Sequence, residues 1–99
     1  MEKKQHSKIA ISVAVPIFNE ESVLPELYNR LDKVLGEIPG DHEIIFVNDG
    51  STDSSSEILA TLAAADSRIK VIHLSRNFGH QAALSAAFDY VQGLSLIHI

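Results

Sequence analysis

A chain of 99 residues holds one small domain, not two. Eight Lys and Arg against 13 Asp and Glu leave a formal net charge of −5, which excludes a domain that grips nucleic acid or an anionic membrane by bulk charge. Any phosphate site must therefore be local. Hydrophobic residues at 45% and charged residues at 21% mark a folded domain rather than a disordered one, and the absence of Cys excludes disulfide staples, thiolate zinc sites and thiol catalysis. With no cysteine to report a redox compartment, the cytoplasm is the default.

Residues 1–8 (MEKKQHSK) are charged, and no apolar segment of signal-peptide length follows them, so they read as a flexible, solvated tail. No stretch is long and apolar enough to span a membrane. Ile9 to Ile17 (IAISVAVPI) is a β-branched run that predicts a strand buried on both faces, with Pro16 ending ladder donation. Leu24, Leu27, Tyr28, Leu31, Val34 and Leu35 then recur at helical spacing. Pro25 belongs in the first turn of that helix, Ser22 is its expected N-cap, and Gly36 and Pro39-Gly40 end it. Glu43 to Val47 is a second buried strand. Ser54 with Glu57 predicts a capping box for a second helix whose stripe is Ile58, Leu59, Leu62 and Ala65. Arg68 to Leu74 predicts a third strand, and a third helix is expected from about Gln81 to Val91, with Leu84, Ala87, Phe88 and Val91 facing inward.

The order is βαβαβα. Strands alternating with helices predict an α/β fold with a parallel sheet, right-handed crossovers and helices on the sheet faces. In such sheets ligands bind beyond the carboxyl ends of the strands. Three loops are expected there: Pro16 to Ser22, Asn48 to Asp53, and Ser75 to His80.

The first loop holds no glycine, so neither a dinucleotide fingerprint nor a P-loop is present. Glu20 and Glu21 suit a helix N-terminus but repel phosphate. Two readings stand: ordinary helix-start chemistry, or a pocket walled by Pro16, Phe18 and Glu20 for a neutral group with hydrogen-bond donors, such as a nucleobase or ribose. In the second loop, Asp49 after an apolar strand is either a turn aspartate or an acceptor for a ring N–H, and Gly50 permits a tight turn at positive φ. The third loop places Arg76, Asn77 and Gly79 before a helix. Arg76 is the lone arginine of the three loops and suits a charge-assisted bond to phosphate. His6, His42, His73, His80 and His98 show no metal-ligand spacing. There is no G-x-S-x-G elbow.

VAVPIFNEE, EIIFVNDGSTD and HLSRNFGHQAAL, at three successive strand ends, resemble the nucleotide-binding half of family 2 glycosyltransferases of the GT-A fold. The resemblance covers roughly Ile11 to Gly93, and the SRNFGHQAAL form looks like the subgroup that transfers sugars to polyprenyl phosphates, the dolichol-phosphate-mannose-synthase-like enzymes. It implies a truncated βαβαβα half of a Rossmann-like nucleotide-sugar-binding domain over residues 9–93. By the same resemblance Pro16, Phe18 and Glu20 line base and ribose, Asp49 binds the base ring, and Arg76, Asn77 and Gly79 lie beside the sugar diphosphate. The implied reaction moves a sugar from a UDP- or GDP-sugar with inversion. A divalent cation, Mg²⁺ or Mn²⁺, would neutralise the leaving diphosphate, and a polyprenyl phosphate at the cytoplasmic face of the membrane would be the acceptor.

The sequence departs from that pattern after Gly93. Family members continue into a strand ending in Asp-x-Asp, which holds the metal, whereas this chain continues Leu94-Ser95-Leu96-Ile97-His98-Ile99. CTG TCT CTT ATA CAC ATC encodes those six residues and resembles a transposon-end adapter of sequencing libraries, so residues 94–99 are expected to be non-native. A genuine fourth strand is the other reading. The expectation is an N-terminal glycosyltransferase fragment, inactive by itself and without metal ligands. The alternative is a non-catalytic α/β module that holds a nucleotide. The missing glycines disfavour a Rossmann oxidoreductase.

Overall fold

The computed structural model describes residues 9–79, Ser85 and residues 95–98. The expected tail (1–8), the third helix apart from Ser85, which is helical, and His80 and Gly93 lie outside the described residues. Four strands and two helices are defined in chain order: β1 (Ile9–Ile17), α1 (Leu24–Gly36), β2 (Asp41–Asp49), α2 (Ser55–Ala65), β3 (Ile69–Leu74) and β4 (Ser95–His98). All pairings are parallel, in the order β3-β2-β1-β4.

The parallel sheet follows from the connections. Each step from β1 to β2 and from β2 to β3 carries a helix, and right-handed crossovers in one direction put both helices on one face. Val13, Val15 and Ile17 of β1, Ile44 and Phe46 of β2, and Ile69 of β3 form that face and pack with Leu24, Leu31, Leu35 and Leu59 from the helices. Burying each such side chain contributes roughly 1.5–3 kcal/mol. The opposite face carries Ser12, Ala14, Glu43, Ile45 and Val47, all buried. Burial on both faces explains why β1 and β2 read as continuous apolar runs.

Element limits differ from the sequence reading where distant partners intervene. β2 runs from Asp41 to Asp49, so Asn48 and Asp49 are strand residues rather than loop. β3 starts at Ile69, not Arg68. The N-cap of α1 is Val23, not Ser22, and no side chain caps it; the Glu20 carbonyl accepts the N–H groups of Val23 and Leu24 instead. Ser54 is the N-cap of α2 but makes no side-chain cap bond, so the expected box with Glu57 does not form. Val34, expected on the inner stripe of α1, is exposed.

Ser95–His98 pair with Ile11–Ala14, covering the β1 edge that a three-stranded sheet would leave open. A short apolar segment of any origin can take such an edge, so the pairing does not bear on where these residues come from.

Candidate functional site

The carboxyl ends of β1, β2 and β3 bring the three loops together, with the β2 loop in the middle because β2 lies between β1 and β3. That middle loop ties to both neighbours.

Toward the first loop the ties pair side chains with backbone. Asn19 sits at φ 52°, a left-handed conformation that Asn tolerates better than most residues. In that pose its Oδ1 accepts the N–H of Thr52 at 2.8 Å and of Asp53 at 3.3 Å, while its own N–H donates to Ser51 Oγ at 3.0 Å. The Glu20 N–H donates to Ser55 Oγ at 3.0 Å, and the Glu21 N–H donates to Asp53 Oδ2 at 3.2 Å. In return Glu21 Oε1 accepts the Ser54 N–H at 2.7 Å, and Asp53 Oδ1 accepts the Ser55 N–H at 2.9 Å. Two carboxylates thus meet the free N–H groups that open α2. Glu21, expected to serve the start of α1, serves the next helix. Desolvation pushes the Asp53 carboxyl up, but bonds from Ser55 and from the Glu21 N–H outweigh it and leave the group below its ordinary value.

Under the loop, Asn48 holds the end of β2. Its Nδ2 donates to Ser56 Oγ at 2.6 Å and to His73 Nδ1 at 3.1 Å, and its Oδ1 accepts the Ser51 N–H at 3.1 Å. His73 therefore belongs to the scaffold.

Toward the third loop the tie is Asp49. It is 2% exposed, and its two oxygens accept the N–H groups of Phe78 at 2.7 Å and Gly79 at 3.0 Å. Gly50 follows at φ 74°, with the backbone of Arg76 and Asn77 lying directly against it. The Arg76 guanidinium stacks on the Phe78 ring, 4.9 Å from its centroid. Among the described residues no carboxylate pairs with Arg76, and Arg76 and Asn77 are both exposed.

The other expected residues are placed as follows. Pro16 is half-buried near the end of β1 and pairs with Val47. Phe18 is 40% exposed, and Glu20 is exposed beside it. A cleft of about 430 Å³ opens at the opposite edge of the sheet between His42, Glu43, Arg68 and Lys70. Lys70 holds Glu43 there, Arg68 reaches out to Asp66 and Asp32, and the buried His42 Nδ1 has no hydrogen-bond partner; ligands of parallel α/β sheets bind at the carboxyl ends of the strands, which favours the loops. Among the described residues no three His, Asp or Glu side chains form a metal-ligand group. Asn19, Asn48 and Asp53 were not singled out from sequence, and Glu21 was read only as a helix-start residue of α1. Asn19 carried a signal, an Asn in a glycine-free turn, but its partners lie more than 30 residues on.

The parallel α/β sheet, with its loops gathered at the carboxyl ends of the strands, has the architecture of part of a GT-A domain. The pattern described as Glycosyl transferase family 2 matches residues 12–97, and the chain belongs to that family. It is 47% identical over 91 residues to the uncharacterized glycosyltransferase YkcC of Bacillus subtilis strain 168, covering 92% of this chain and 28% of that protein. It is 38% identical over 89 residues to the bactoprenol glucosyl transferase of Shigella phage SfV, covering 90% and 29%. It is also 38% identical over 84 residues to the undecaprenyl-phosphate 4-deoxy-4-formamido-L-arabinose transferase of Pseudomonas fluorescens Pf0-1, covering 84% and 25%. The crystal structure of S. aureus TarS 1-349 superposes with a TM-score of 0.79 at 26% identity, over 92% of this chain and 27% of that one. The chain thus spans under a third of the relatives it matches.

Proposed function

We propose that this chain is the donor-side part of a longer inverting glycosyltransferase that moves a sugar from a nucleoside diphosphate to a polyprenyl phosphate at the cytoplasmic face of a membrane. The acceptor is supported by relatives named for bactoprenol and undecaprenyl phosphate. Among the described residues no helix is long and apolar enough to cross a membrane. The observation that carries the donor side is Arg76. It is the cation of the loop platform, it is exposed, and its recorded contact is an aromatic face rather than a carboxylate.

In the proposed reaction the bond from the anomeric carbon to the diphosphate oxygen breaks, and its electron pair leaves with the diphosphate. An acceptor phosphate oxygen forms the new bond from the opposite face. That oxygen is already anionic, so no general base is required. Arg76 meets the charge growing on the leaving group with charge-assisted hydrogen bonds. Pro16, Phe18 and Glu20 border base and ribose, and Asn77 borders the diphosphate.

The divalent cation expected for this chemistry, Mg²⁺ or Mn²⁺, finds no ligand set among the described residues. The carboxylates of Asp49, Asp53 and Glu21 are already taken up by backbone N–H groups. The cation's ligands are expected in the segment that follows Gly93 in the longer protein.

Incubating the purified 99-residue chain with nucleotide sugars, polyprenyl phosphate and a divalent cation is expected to yield no transfer, and the longer protein to yield inverted product. Turnover by the short chain comparable to the longer protein would show that the machinery is misplaced. The module alternative predicts nucleotide binding without transfer in the longer protein, and no apolar strand ending in Asp-x-Asp beyond Gly93.

A further inference from the structure

We infer that Asn19 is a positioning residue: by clamping the first loop to the second it fixes Phe18 and Glu20, and through Glu20 it sets the hold on a ribose. The inference rests on the donor-side reading above and deepens it at a residue that reading does not use.

Consecutive backbone N–H groups of the first loop end on side chains of the second. Asn19 donates to Ser51 Oγ at 3.0 Å, Glu20 to Ser55 Oγ at 3.0 Å and Glu21 to Asp53 Oδ2 at 3.2 Å. Side chains of the first loop answer in the other direction. Asn19 Oδ1 accepts the N–H groups of Thr52 at 2.8 Å and Asp53 at 3.3 Å, and Glu21 Oε1 accepts that of Ser54 at 2.7 Å. Ser55 is fully buried, so the clamp is anchored in the packed interior.

Glu20 lies between these ties. Its N–H is bound to Ser55, and its carbonyl accepts the N–H groups of Val23 and Leu24. The backbone of the residue is thereby held on both sides. Its carboxylate is exposed, and among the described residues no hydrogen bond or ion pair occupies it. A ribose offers neighbouring hydroxyl donors, which suit an ionised acceptor. A carboxylate carried on a fixed backbone takes them without the entropy cost of ordering that backbone.

The clamp makes two demands on residue 19. The chain turns there at φ 52°, a pose that Asn and Asp tolerate better than other side chains and that Gly adopts freely. The bonds to Thr52 and Asp53 also need an oxygen at the δ position. Asp meets both demands, Gly the first alone, and Ala neither.

The test uses the longer transferase and the variants Asn19→Asp, Asn19→Gly and Asn19→Ala. Hydrogen exchange of the Thr52 and Asp53 amides reports the clamp. Affinity for UDP and GDP against their 2′-deoxy and 3′-deoxy forms reports the ribose contact. Asn19→Ala should speed exchange at both amides and weaken the preferred diphosphate by about tenfold, the scale of one hydrogen bond to a charged group. It should also bring the preference for ribose over the deoxy forms to within about twofold of unity. Asn19→Gly should fall between, and Asn19→Asp should stay within about threefold of wild type in exchange and affinity. In a Glu20→Ala background the Asn19→Ala loss should disappear, because the two residues act in series. If Asn19→Ala does not fold, Asn19→Gly against Asn19→Asp makes the same comparison. A ribose preference that survives loss of the clamp, or an Asn19→Ala loss that persists in full without Glu20, overturns the inference alone. A wild type that binds neither diphosphate, or binds both sugars alike, overturns the donor reading and the inference with it.

Discussion

At the amino edge of the sheet, Arg68 commits its guanidinium to Asp66 at 2.6 Å and Asp32 at 2.7 Å, and Lys70 holds the buried Glu43 at 3.0 Å. At the carboxyl edge, Asp49, Asp53 and Glu21 accept backbone N–H groups, and Arg76 lies on an aromatic ring. Both edges are acidic, but they balance that charge differently. Side-chain cations neutralise the amino edge and leave it electrostatically closed. Backbone amides satisfy the carboxyl edge, and among the described residues no carboxylate pairs with its arginine. A net-negative chain can thus offer a local positive site without a basic surface. The sheet also places the available cation where ligands of parallel α/β folds bind.

If the amino edge is structural, its disruption should register in stability and not in ligand affinity. Asp66 accepts from Tyr28 Oη at 2.7 Å as well as from Arg68, joining α1, the end of α2 and the start of β3. Asp66→Ala is expected to cost about 3 kcal/mol, because it strands a partly buried guanidinium and a phenol. Denaturant titration measures this, with nucleoside diphosphate affinity of the folded fraction unchanged.

The mirror experiment is Arg76→Ala. Affinity for the intact donor or diphosphate should fall by about 1.5–3 kcal/mol, while the free nucleoside and the midpoint of unfolding stay constant. Calorimetric titration separates the two ligands, and equal loss for both would move Arg76 away from the diphosphate.

A smaller effect is expected at the seam between the first and second loops. Asn19→Ala removes the acceptor for Thr52 and Asp53 and leaves at φ 52° a residue that tolerates the left-handed pose less well than Asn, costing about 1–2 kcal/mol. Asn19→Gly, which keeps the backbone pose, should recover part of that loss.

Acid separates the edges without mutation. The bonds from Arg68 hold the Asp66 carboxyl far below its ordinary value, against opposing desolvation. A depressed folded pKa contributes stability that is complete above the unfolded value, near 4, and drains away as pH falls toward the folded one. The hydrogen bond to Asp66 pushes the Tyr28 phenol up, so its contribution fades as pH rises above about 10. Stability followed from pH 7 downward should decline below about pH 4, and Asp66→Asn should flatten that limb. The smallest effect is the exposed Arg30–Glu26 pair of α1, where Arg30→Ala is expected to cost at most about 0.5 kcal/mol.

The sheet and both described helices were legible because their signals are local. β1 matches its apolar run end to end, and α1 ends at Gly36 where the breaker stands. The site was legible in composition and not in wiring. Asn48 and Asp49 look like turn residues, yet both are in β2 because their side chains have long-range partners, Ser56 and His73 for one and Phe78 and Gly79 for the other. The caps failed because other acceptors, near and far, were better placed. Ser22 and Ser54 have cap chemistry, but the Glu20 carbonyl and the carboxylates of Glu21 and Asp53 reach the free N–H groups first. No pattern within a few residues reports a partner more than 30 positions away. Arg76 stood out in the sequence by its charge alone, as the one arginine of the three loops.

The strand order β3-β2-β1-β4 also has a consequence during synthesis. β1 is made before the other three strands yet lies inside the sheet, and one of its two neighbours, β4, is made after β3. After Leu74 has emerged and β1, β2 and β3 can pair, about 20 residues must still be added before Ser95–His98 arrive, which takes roughly 1–4 s at typical translation speeds. Throughout that interval the β1 flank from Ile11 to Ala14 is an open template for another nascent chain. Ribosomes spaced closely on one message would hold several such flanks near each other, so yield of native protein should respond to translation rate and chaperone supply more than to the stability of the finished fold.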